Sequence, residues 1–492
     1  MGEDAGRLCR PMEGALSRWA GRPAAASLAA LALYAATLAP TVLWGDDAAF
    51  QRRAFTLELG AGVTDHPLYL VWAHRFTRLP FGDVAFRVNL CSAVGASAGV
   101  GVVYAILRQL GVRRRAAWIG AGALAVSQAY WAHAVRAEVY SAYLALFALF
   151  LLAGVRWSLS LSVHLLGLTA LAGLILLLAR SRDPGDAAVG LGGLAAGLLP
   201  LGVFVWLAGR LELAGQVADT ARNLLAPWRW PADAALGLGF LLYQFPLSAA
   251  LAAPGLGRLR TGRKWAALFL LLVCLGSAAF AFDFQAPDRY VFYLPAYVVI
   301  AIWIGVGADW LLSRRWPAAA LGAASLLAPV ILYVALPLSL NALRLNPFGL
   351  RQLPYRDGNL FHLLPAKAGY VGPRIFGETV LRSLPERAVV LADHTIRQNL
   401  LYFQAVEGLR RDVEVVEIYS GRGEQAAYIQ EVVGQRPVFL GAVDSYLDRE
   451  EIERRFAIEP YGLIYRVAPA GEVHGATLPT SSLPAGGEGE RG

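Results

Sequence analysis

The chain is poor in charged residues and in cysteine. Only 16% of its 492 residues are Asp, Glu, Lys or Arg, against about 25% in an average soluble protein. Hydrophobic residues make up 57%, so the composition indicates a polytopic membrane protein before any motif is considered. The three cysteines, Cys9, Cys91 and Cys274, are far apart. Their spacing excludes a zinc-binding motif and indicates no disulfide framework.

Several familiar motifs are also missing. The sequence has no Walker-type GxxxxGK[ST] loop, which argues against direct use of ATP, and no GxSxG nucleophile elbow. Short alternating segments typical of a membrane barrel are absent as well. Instead, apolar runs of about 20 residues recur, each long enough to cross a hydrocarbon core of about 30 Å. Because backbone groups in lipid must be paired within the segment, these runs predict helices.

The net charge of +8 comes almost entirely from arginine, since lysine occurs only at positions 264 and 367. A basic protein can bind nucleic acid, but these arginines lie in short runs beside apolar segments, where positive charge orients membrane helices. Four arginines before the first apolar run predict a cytoplasmic N-terminus over residues 1–23. We expect an uncleaved first helix near 24–43 and an outer loop over 44–87.

The apolar runs predict a transmembrane domain over residues 24–343 with about 9–11 membrane segments. Counting every run as a crossing leaves several arginine clusters outside, against the positive-inside rule. We therefore favour an odd count, with the run at 158–179 re-entrant and all residues after 340 outside. Residues 210–232 suit either an interfacial loop or an ordinary connection. After the first helix, the predicted runs are 88–107, 116–134, 139–155, 158–179, 187–208, 233–253, 265–282, 290–312 and 317–340.

From about residue 345 the charge rises and the long apolar runs end. Four segments predict strands, with a helix between the first two: AVVLA (388–392), VEVVEI (413–418), RPVFLGA (436–442) and YGLIYRVA (461–468). We predict a small extracytoplasmic α/β domain over residues 344–469. The tail over 470–492 is rich in Gly, Pro, Ser and Glu, a composition typical of disorder.

The stretch from Trp44 to Asn89 carries the groups best suited to chemistry. Asp46 and Asp47 directly follow the first predicted crossing. A carboxylate there can act as a general base toward an acceptor hydroxyl or help to hold a divalent cation. The alternative is an ordinary helix N-cap before AAFQRRAF, and two neighbouring acids can serve both purposes.

Further candidates lie at other edges of the apolar runs. A histidine at a membrane interface can bind phosphate or move a proton, and arginine binds phosphate through its planar fork. Each could instead be a simple interfacial anchor. If the odd count holds, these groups share one side of the membrane and surround a site for a phosphate headgroup. The candidates are His66, Arg87, Arg136, Glu138, Arg289 and Tyr290.

Short segments along most of the chain resemble the membrane proteins related to protein O-mannosyltransferases, which belong to the GT-C glycosyltransferase superfamily. The resemblance is thinnest over 156–280. The segments are WGD (44–46), HPLY (66–69), LPFGDVAFRVNLCSA (79–93), AEVYSAY (137–143), PDRYVFYLPAYVVIAIWIGVG (287–307), LLYFQAVEGLRRDVEVV (400–416), RPVFL (436–440) and EPYGLIYRV (459–467).

This resemblance implies a GT-C-like helical fold and an inverting transfer of a mannose-like sugar from a polyprenyl-phosphate donor to a hydroxyl acceptor. It implies an acidic catalytic base at Asp46. The family's second acid, three residues later, is replaced here by Ala49, so Asp47 is an alternative base. By the same analogy His66 and Arg87 would bind the donor phosphate or organise the loop, while Arg136, Glu138 and Arg289 would line the site.

Partners implied are membrane lipid, the polyprenyl-phosphate sugar and an acceptor protein or glycan outside the cytoplasm, in a bacterial inner membrane. A divalent cation is a candidate cofactor. Two other classes of function stay open. A transporter or flippase of lipid-linked glycans would be expected to show internal repeats, and none is evident. A membrane assembly or sensor protein would tolerate loss of the acids.

Overall fold

The computed structural model describes residues 12–60, 65–153, 230–283, 288–417, 424–444 and 446–469. Helices and strands are numbered below in chain order over these residues. The predicted segments at 158–179 and 187–208, most of the loop at 210–232 and the tail at 470–492 lie outside them.

The first half of the described chain is helical, and a central helix, α4, organises it. α4 packs against α1, α5 and α7, and Asp83 caps its first turn by accepting a hydrogen bond at Oδ1 from the amide of Phe86, 2.6 Å away. The helices are α1 (Met12–Ala36), α2 (Asp46–Thr56), α3 (Pro67–Thr77), α4 (Val84–Gln109), α5 (Arg114–Ala125), α6 (Gln128–Ala134) and α7 (Val139–Ala153).

A second group of helices contains a close crossing that glycines allow. A Cβ at Gly255 would meet the carbonyl oxygen of Trp303, and one at Gly307 would meet that of Leu251, both at 2.0 Å or less. Small residues therefore let these helices approach backbone to backbone. The group comprises α8 (Trp230–Gln244), α9 (Ala252–Gly262), α10 (Lys264–Asp283), α11 (Leu294–Ser313) and α12 (Ala318–Ala342).

The chain is an integral membrane protein with several apolar helices. Within the described residues, three helical segments are long and apolar enough to cross a membrane: Val84–Gln109, Arg289–Ser313 and Ala318–Ala342. Two bent pairs, α6 with α7 at 116° and α8 with the Ser248–Gly262 segment at 100°, raise the count to five if each is one span. The total predicted from sequence remains a prediction.

The prediction of one continuous helix over 116–134 is wrong. α5 ends at Ala125 and α6 begins at Gln128. The amide of Gln128 donates to the Tyr333 hydroxyl at 3.0 Å, and the amide of Ala129 donates to Oε1 of Gln244 at 2.8 Å. These distant side chains satisfy amides at the start of α6 that have no helical partner, so the break is stable although the apolar pattern continues through it.

The C-terminal part contains a five-stranded mixed sheet with strand order β2-β1-β3-β5-β4. β1 is parallel to β2 and β3, whereas β5 is antiparallel to β3 and β4. The elements are α13 (Gly358–Leu363), α14 (Gly372–Ser383), β1 (Val389–Ala392), α15 (His394–Val406), β2 (Glu414–Glu417), α16 (Glu424–Val432), β3 (Val438–Leu440), α17 (Arg449–Glu453), β4 (Phe456–Tyr461) and β5 (Ile464–Pro469).

Four of these strands lie where the sequence predicts them, and β4 was not predicted. Its residues FAIEPY include a glutamate and a proline, which are depleted in strands. The position of Pro460 fits an edge strand, because proline cannot donate to a ladder. The prediction that residues 344–469 form a separate extracytoplasmic domain stays a prediction.

One hydrophobic cluster joins the sheet to the loop that follows α1. Val42 and Trp44 pack in the same cluster as Phe376, Tyr402 and Phe403 from α14 and α15. The Trp44 indole also donates to the Tyr370 hydroxyl at 2.8 Å. This shared core fixes the N-terminus of α2 against α15, and the candidate site lies at that junction.

Candidate active site

Asp46 and Asp47 begin α2, directly after Gly45, whose φ of 55° is in the region that favours glycine. Neighbouring helical residues point about 100° apart, so the two side chains differ in environment. The Asp47 side chain is 5% exposed and that of Asp46 is 69% exposed. Only Asp46 therefore offers a carboxylate freely to a soluble acceptor.

Asp47 faces the turn between α6 and α7, which carries Arg136 and Glu138. The Arg136 Nε atom lies 3.7 Å from Oδ1 of Asp47, and its Nη2 atom lies 3.5 Å from Oε1 of Glu138. Arg136 also donates to Nε2 of His133 at 3.0 Å. Both carboxylate distances exceed a good hydrogen bond, so the guanidinium is held by charge between two acids and keeps donors for another anion.

Burial raises the pKa of the Asp47 carboxyl, and the nearby charge of Arg136 opposes that shift. Tyr290 completes this side of the site, because its ring lies 6.3 Å from that of His133, the histidine to which Arg136 donates. The predicted residues Asp47, Arg136, Glu138 and Tyr290 are thus brought together from three separate elements.

Two further cations come from the segment between α12 and α14. The side chain of Lys367 donates to the carbonyl of Leu364, and Lys367 is only 4% exposed. Arg356 donates to Nε2 of His362 at 2.7 Å. Lys367, Arg356 and Arg136 all lie near enough to Asp47 for their charges to lower its pKa. Sequence reasoning missed Lys367 and Arg356.

Burial and neighbouring positive charge disfavour the charged forms of Lys367 and Arg356. Burial lowers the pKa of Lys367 to about 7, with repulsion from Arg136 adding to the effect. Burial also lowers the pKa of Arg356 to about 10 and that of His362 to about 3. His362 is therefore a neutral acceptor at pH 7. A site crowded with partly desolvated cations favours an anionic ligand, whose charge would relieve the mutual repulsion.

The exposed acid, Asp46, pairs with a histidine from the other side of the junction. Nε2 of His394 lies 2.9 Å from Oδ1 of Asp46, and Nδ1 of His394 lies 3.5 Å from Oε1 of Glu417. The hydrogen bond to His394 lowers the pKa of Asp46, and the same bond raises the pKa of His394. Asp46 is consequently ionised at neutral pH, the form that a general base requires.

Three predicted site residues have other contacts. Arg87 donates to the carbonyls of Asp83 and Thr77, at 3.0 and 2.7 Å, and so organises the turn before α4. Arg289 pairs with Asp233 at 2.8 Å. His66 occupies the N-cap position of α3 with φ 47°, and its ring is tilted against that of Phe50 with centroids 5.9 Å apart. It lies close enough to Asp46 for its charge to lower the pKa of that carboxyl.

The side chains around Asp47 are poorly suited to hold a divalent cation. Within the described ranges, no group of three or more His, Cys, Asp or Glu is arranged to hold a metal ion. The side chains around Asp47 are mainly cationic, which is unfavourable for a second cation. A divalent cofactor therefore stays a prediction.

Part of the chain matches a known protein family. Residues 54–161 match the sequence model described as the protein O-mannosyl-transferase TMEM260 N-terminal domain. That range includes His66, Arg87, Arg136 and Glu138 but not the two aspartates. No curated protein matches the chain.

Two solved structures share the fold over nearly their whole length. The crystal structure of ArnT from Cupriavidus metallidurans in the apo state has a TM-score of 0.54 at 15% identity, covering 92% of this chain and 98% of that one. ArnT from the same organism bound to undecaprenyl phosphate has a TM-score of 0.50 at 14% identity, with the same coverage. The chain therefore has an ArnT-like, GT-C type of fold, and the predicted resemblance is confirmed.

Proposed function

We propose that this protein is a membrane glycosyltransferase that uses a polyprenyl-phosphate-linked sugar and transfers that sugar to a hydroxyl acceptor. The observation that carries the proposal is that an exposed carboxylate, Asp46, lies near the half-buried Arg136, while the buried Lys367 lies near the adjacent Asp47. A base and an anion site are the two functions that such a transfer needs.

In the proposed reaction, Asp46 is the general base. Its carboxylate takes the proton of the acceptor hydroxyl as the acceptor oxygen bonds to C1 of the sugar. The bond from C1 to the phosphate oxygen breaks, and polyprenyl phosphate leaves with one additional negative charge. A single displacement of this kind inverts the configuration at C1.

Asp47 and Glu138 have a different role in this proposal. Both are buried against Arg136, and they orient its guanidinium toward the leaving phosphate. Lys367 and Arg356 add positive charge on the same side. Cations fixed where charge develops stabilise the transition state more than the ground state, which lowers the barrier.

The comparisons support the donor class. One similar structure is described as ArnT bound to undecaprenyl phosphate, and residues 54–161 match a family described as protein O-mannosyl-transferases. We extend these to a mannose-like sugar, an acceptor protein or glycan outside the cytoplasm and a bacterial inner-membrane location. Each of those finer assignments is part of the proposal.

The test uses purified protein in liposomes, supplied with polyprenyl-phosphate mannose and then with other polyprenyl-phosphate sugars. A membrane extract provides acceptors, and release of polyprenyl phosphate is the readout. We expect turnover by the wild type with at least one donor. Asp46→Asn should lower kcat by about 10²–10⁴-fold, because it removes the general base. Asp47→Asn should lower kcat/KM for the donor by a smaller factor, because it only weakens the orientation of Arg136.

Asp412→Asn is the matched control, since Asp412 is an exposed aspartate that pairs with Arg410 away from the junction. It should behave as the wild type. Failure of the wild type with every donor sugar would overturn the proposed function. If Asp47→Asn abolished kcat while Asp46→Asn did not, the two acids would have to exchange roles.

A further inference from the structure

The WGD segment, residues 44–46, is the point where the loop after α1 docks on the C-terminal sheet. The ring of Trp44 packs against Phe376, with centroids 5.1 Å apart. The amide of Gly45 donates to the carbonyl of Thr395 at 3.1 Å, and Asp46 follows at once with its contact to His394. Three consecutive residues therefore fix one carboxylate against the start of α15.

Gly45 makes this approach feasible. A Cβ built at Gly45 would lie 3.8 Å from Cα of Thr395 and 3.9 Å from Cδ2 of His394. The space would admit a methyl group, but the φ of 55° at this position would strain any other residue. Glycine is therefore required at this position by the backbone conformation and not by a lack of space. The same backbone conformation sets the direction of the Asp46 side chain.

The His394 imidazole is held from both sides. Nε2 faces Asp46, Nδ1 faces Glu417 at the end of β2, and Arg397 pairs with Glu417 at 3.0 Å. The backbone at His394 is fixed too, because the preceding Asp393 caps α15 by accepting from the amide of Thr395 at 2.9 Å. A ring with a carboxylate at each nitrogen donates at both positions when it is protonated.

We propose that His394 is a positioning residue of the active site, which holds Oδ1 of Asp46 so that Oδ2 is left to receive the acceptor proton, while Glu417 orients the ring. This inference rests on the proposed function and adds to it that the C-terminal sheet completes the active site. The proton that Asp46 takes up leaves directly to water, since the Asp46 side chain is 69% exposed.

The charges that face the pair determine how it responds to pH. Asp46 is influenced by His394, Arg136 and His66, and all three of these groups favour its ionised form. His394 is influenced by Asp46 and Glu417, and both raise its pKa. Removing His394 should therefore raise the pKa of Asp46, and removing Glu417 should do the same to a lesser degree by reducing the charge on His394.

The experiment measures kcat against pH for the wild type, His394→Ala, His394→Gln and Glu417→Gln with the active polyprenyl-phosphate donor. His394→Ala should lower kcat between about 10- and 10²-fold and move the acidic limb of the profile to higher pH. His394→Gln keeps a neutral donor, so it should recover part of kcat with the limb still displaced. Glu417→Gln should give a smaller displacement.

Glu414→Gln is the matched control. Glu414 lies at the other end of the same strand, where it pairs with Arg436, and its replacement should leave the profile unchanged. If His394→Ala lowered kcat without moving the acidic limb, His394 would be merely structural and the inference would fail.

A second measurement does not need turnover. Diethyl pyrocarbonate modifies neutral imidazole, and mass spectrometry of digested protein gives the rate at His394 as a function of pH. The apparent pKa of His394 should fall toward its ordinary value of 6.5 in Asp46→Asn. An unchanged pKa there would overturn the inference. If the pKa of His394 fell as expected in Asp46→Asn but the protein used no donor, only the proposed function would be contradicted.

Discussion

Nη2 of Arg374 donates to Oδ2 of Asp83 at 2.9 Å and so joins residues 291 positions apart. Asp83 is the N-cap of α4, the central membrane helix, whereas Arg374 lies in α14 beside the sheet. The same guanidinium donates to the Thr41 hydroxyl at 2.7 Å and to Glu407 at 2.6 Å. Arg374 therefore links the helix beside the sheet to Thr41 and Asp83, which lie before and after Asp46 in the chain.

Arg374→Ala should loosen this junction. The change leaves Asp83 and Glu407 in a half-buried site without their cation, and hydrogen bonds to charged groups contribute roughly 1.5–3 kcal/mol. We expect the protein to be destabilised by about 2 kcal/mol and kcat to fall with it. Thermal unfolding in detergent measures the stability. Arg449→Ala removes an exposed pair with Glu453, and it should change the unfolding temperature little.

Gly255→Ala should disturb the crossing of α9 and α11. A Cβ at this glycine would lie 1.9 Å from the Trp303 carbonyl oxygen, a backbone atom that cannot rotate away. Overpacking of this kind typically costs about 1–3 kcal/mol. We expect a lower yield of folded protein by size-exclusion chromatography. Gly257→Ala, on the same helix with nothing within 4 Å of the added atom, should behave as the wild type.

The sequence predicted the class of fold and much of the site for identifiable physical reasons. Apolar runs of membrane length locate α4 and α12, because lipid imposes both composition and length on a crossing helix. Asp46, Asp47 and Arg136 stood out because charge is rare beside such runs. A charged residue beside an apolar run can be recognised from the sequence alone, even when its contacts in the fold are unknown.

The remaining parts depend on contacts between distant residues. The break between α5 and α6 is stabilised by Tyr333 and Gln244, which no local pattern can indicate. Lys367 lies after the last apolar run in a segment without periodicity, and its only signal was that lysine is rare in this chain. His394 follows Asp393 at an ordinary helix start, so its contact with Asp46 emerges only from the packing of α2 on α15.

Arg136 should tolerate lysine only in part. Arg136→Lys keeps the charge between Asp47 and Glu138 but loses the planar fork and the bond to His133. Arg136→Gln removes the only cation that contacts both Asp47 and Glu138 among the described residues. We expect kcat/KM for the donor to fall by about 10²–10³-fold in Arg136→Gln, with an intermediate loss for lysine.

Steady-state kinetics in liposomes would measure these losses. Arg113→Lys is the control, because Arg113 pairs with Asp309 between α5 and the end of α11. This pair follows the C-terminal end of α4, whereas the N-terminal end of α4 lies at the junction. Equal activity of both Arg136 variants would show that the charge there does not act on the donor.

Lys367 should make donor binding depend on pH. Its pKa is lowered to about 7, first by burial and then by repulsion from Arg136, so the free site loses this charge as pH rises through neutrality. A phosphate favours the protonated form, and the affinity for the donor should therefore be constant below that pKa and weaken above it. The decline should approach tenfold per pH unit until the pKa of the bound state is reached.

Folding stability should change in the opposite direction. The pKa of Lys367 is lower in the folded state than its ordinary value of 10.5, so the unfolded chain binds more protons between these two values. Stability contributed by this group therefore rises with pH from about 7 to 10.5. Lys367→Arg should reduce both dependences, because a guanidinium stays charged and the remainder comes from Asp47, whose pKa is raised to about 7. Lys264→Arg is a direct control, as Lys264 is the chain's other lysine, and its pH profiles for binding and unfolding should match those of the wild type. Donor affinity that did not change across neutral pH in the wild type would exclude Lys367 from the phosphate site.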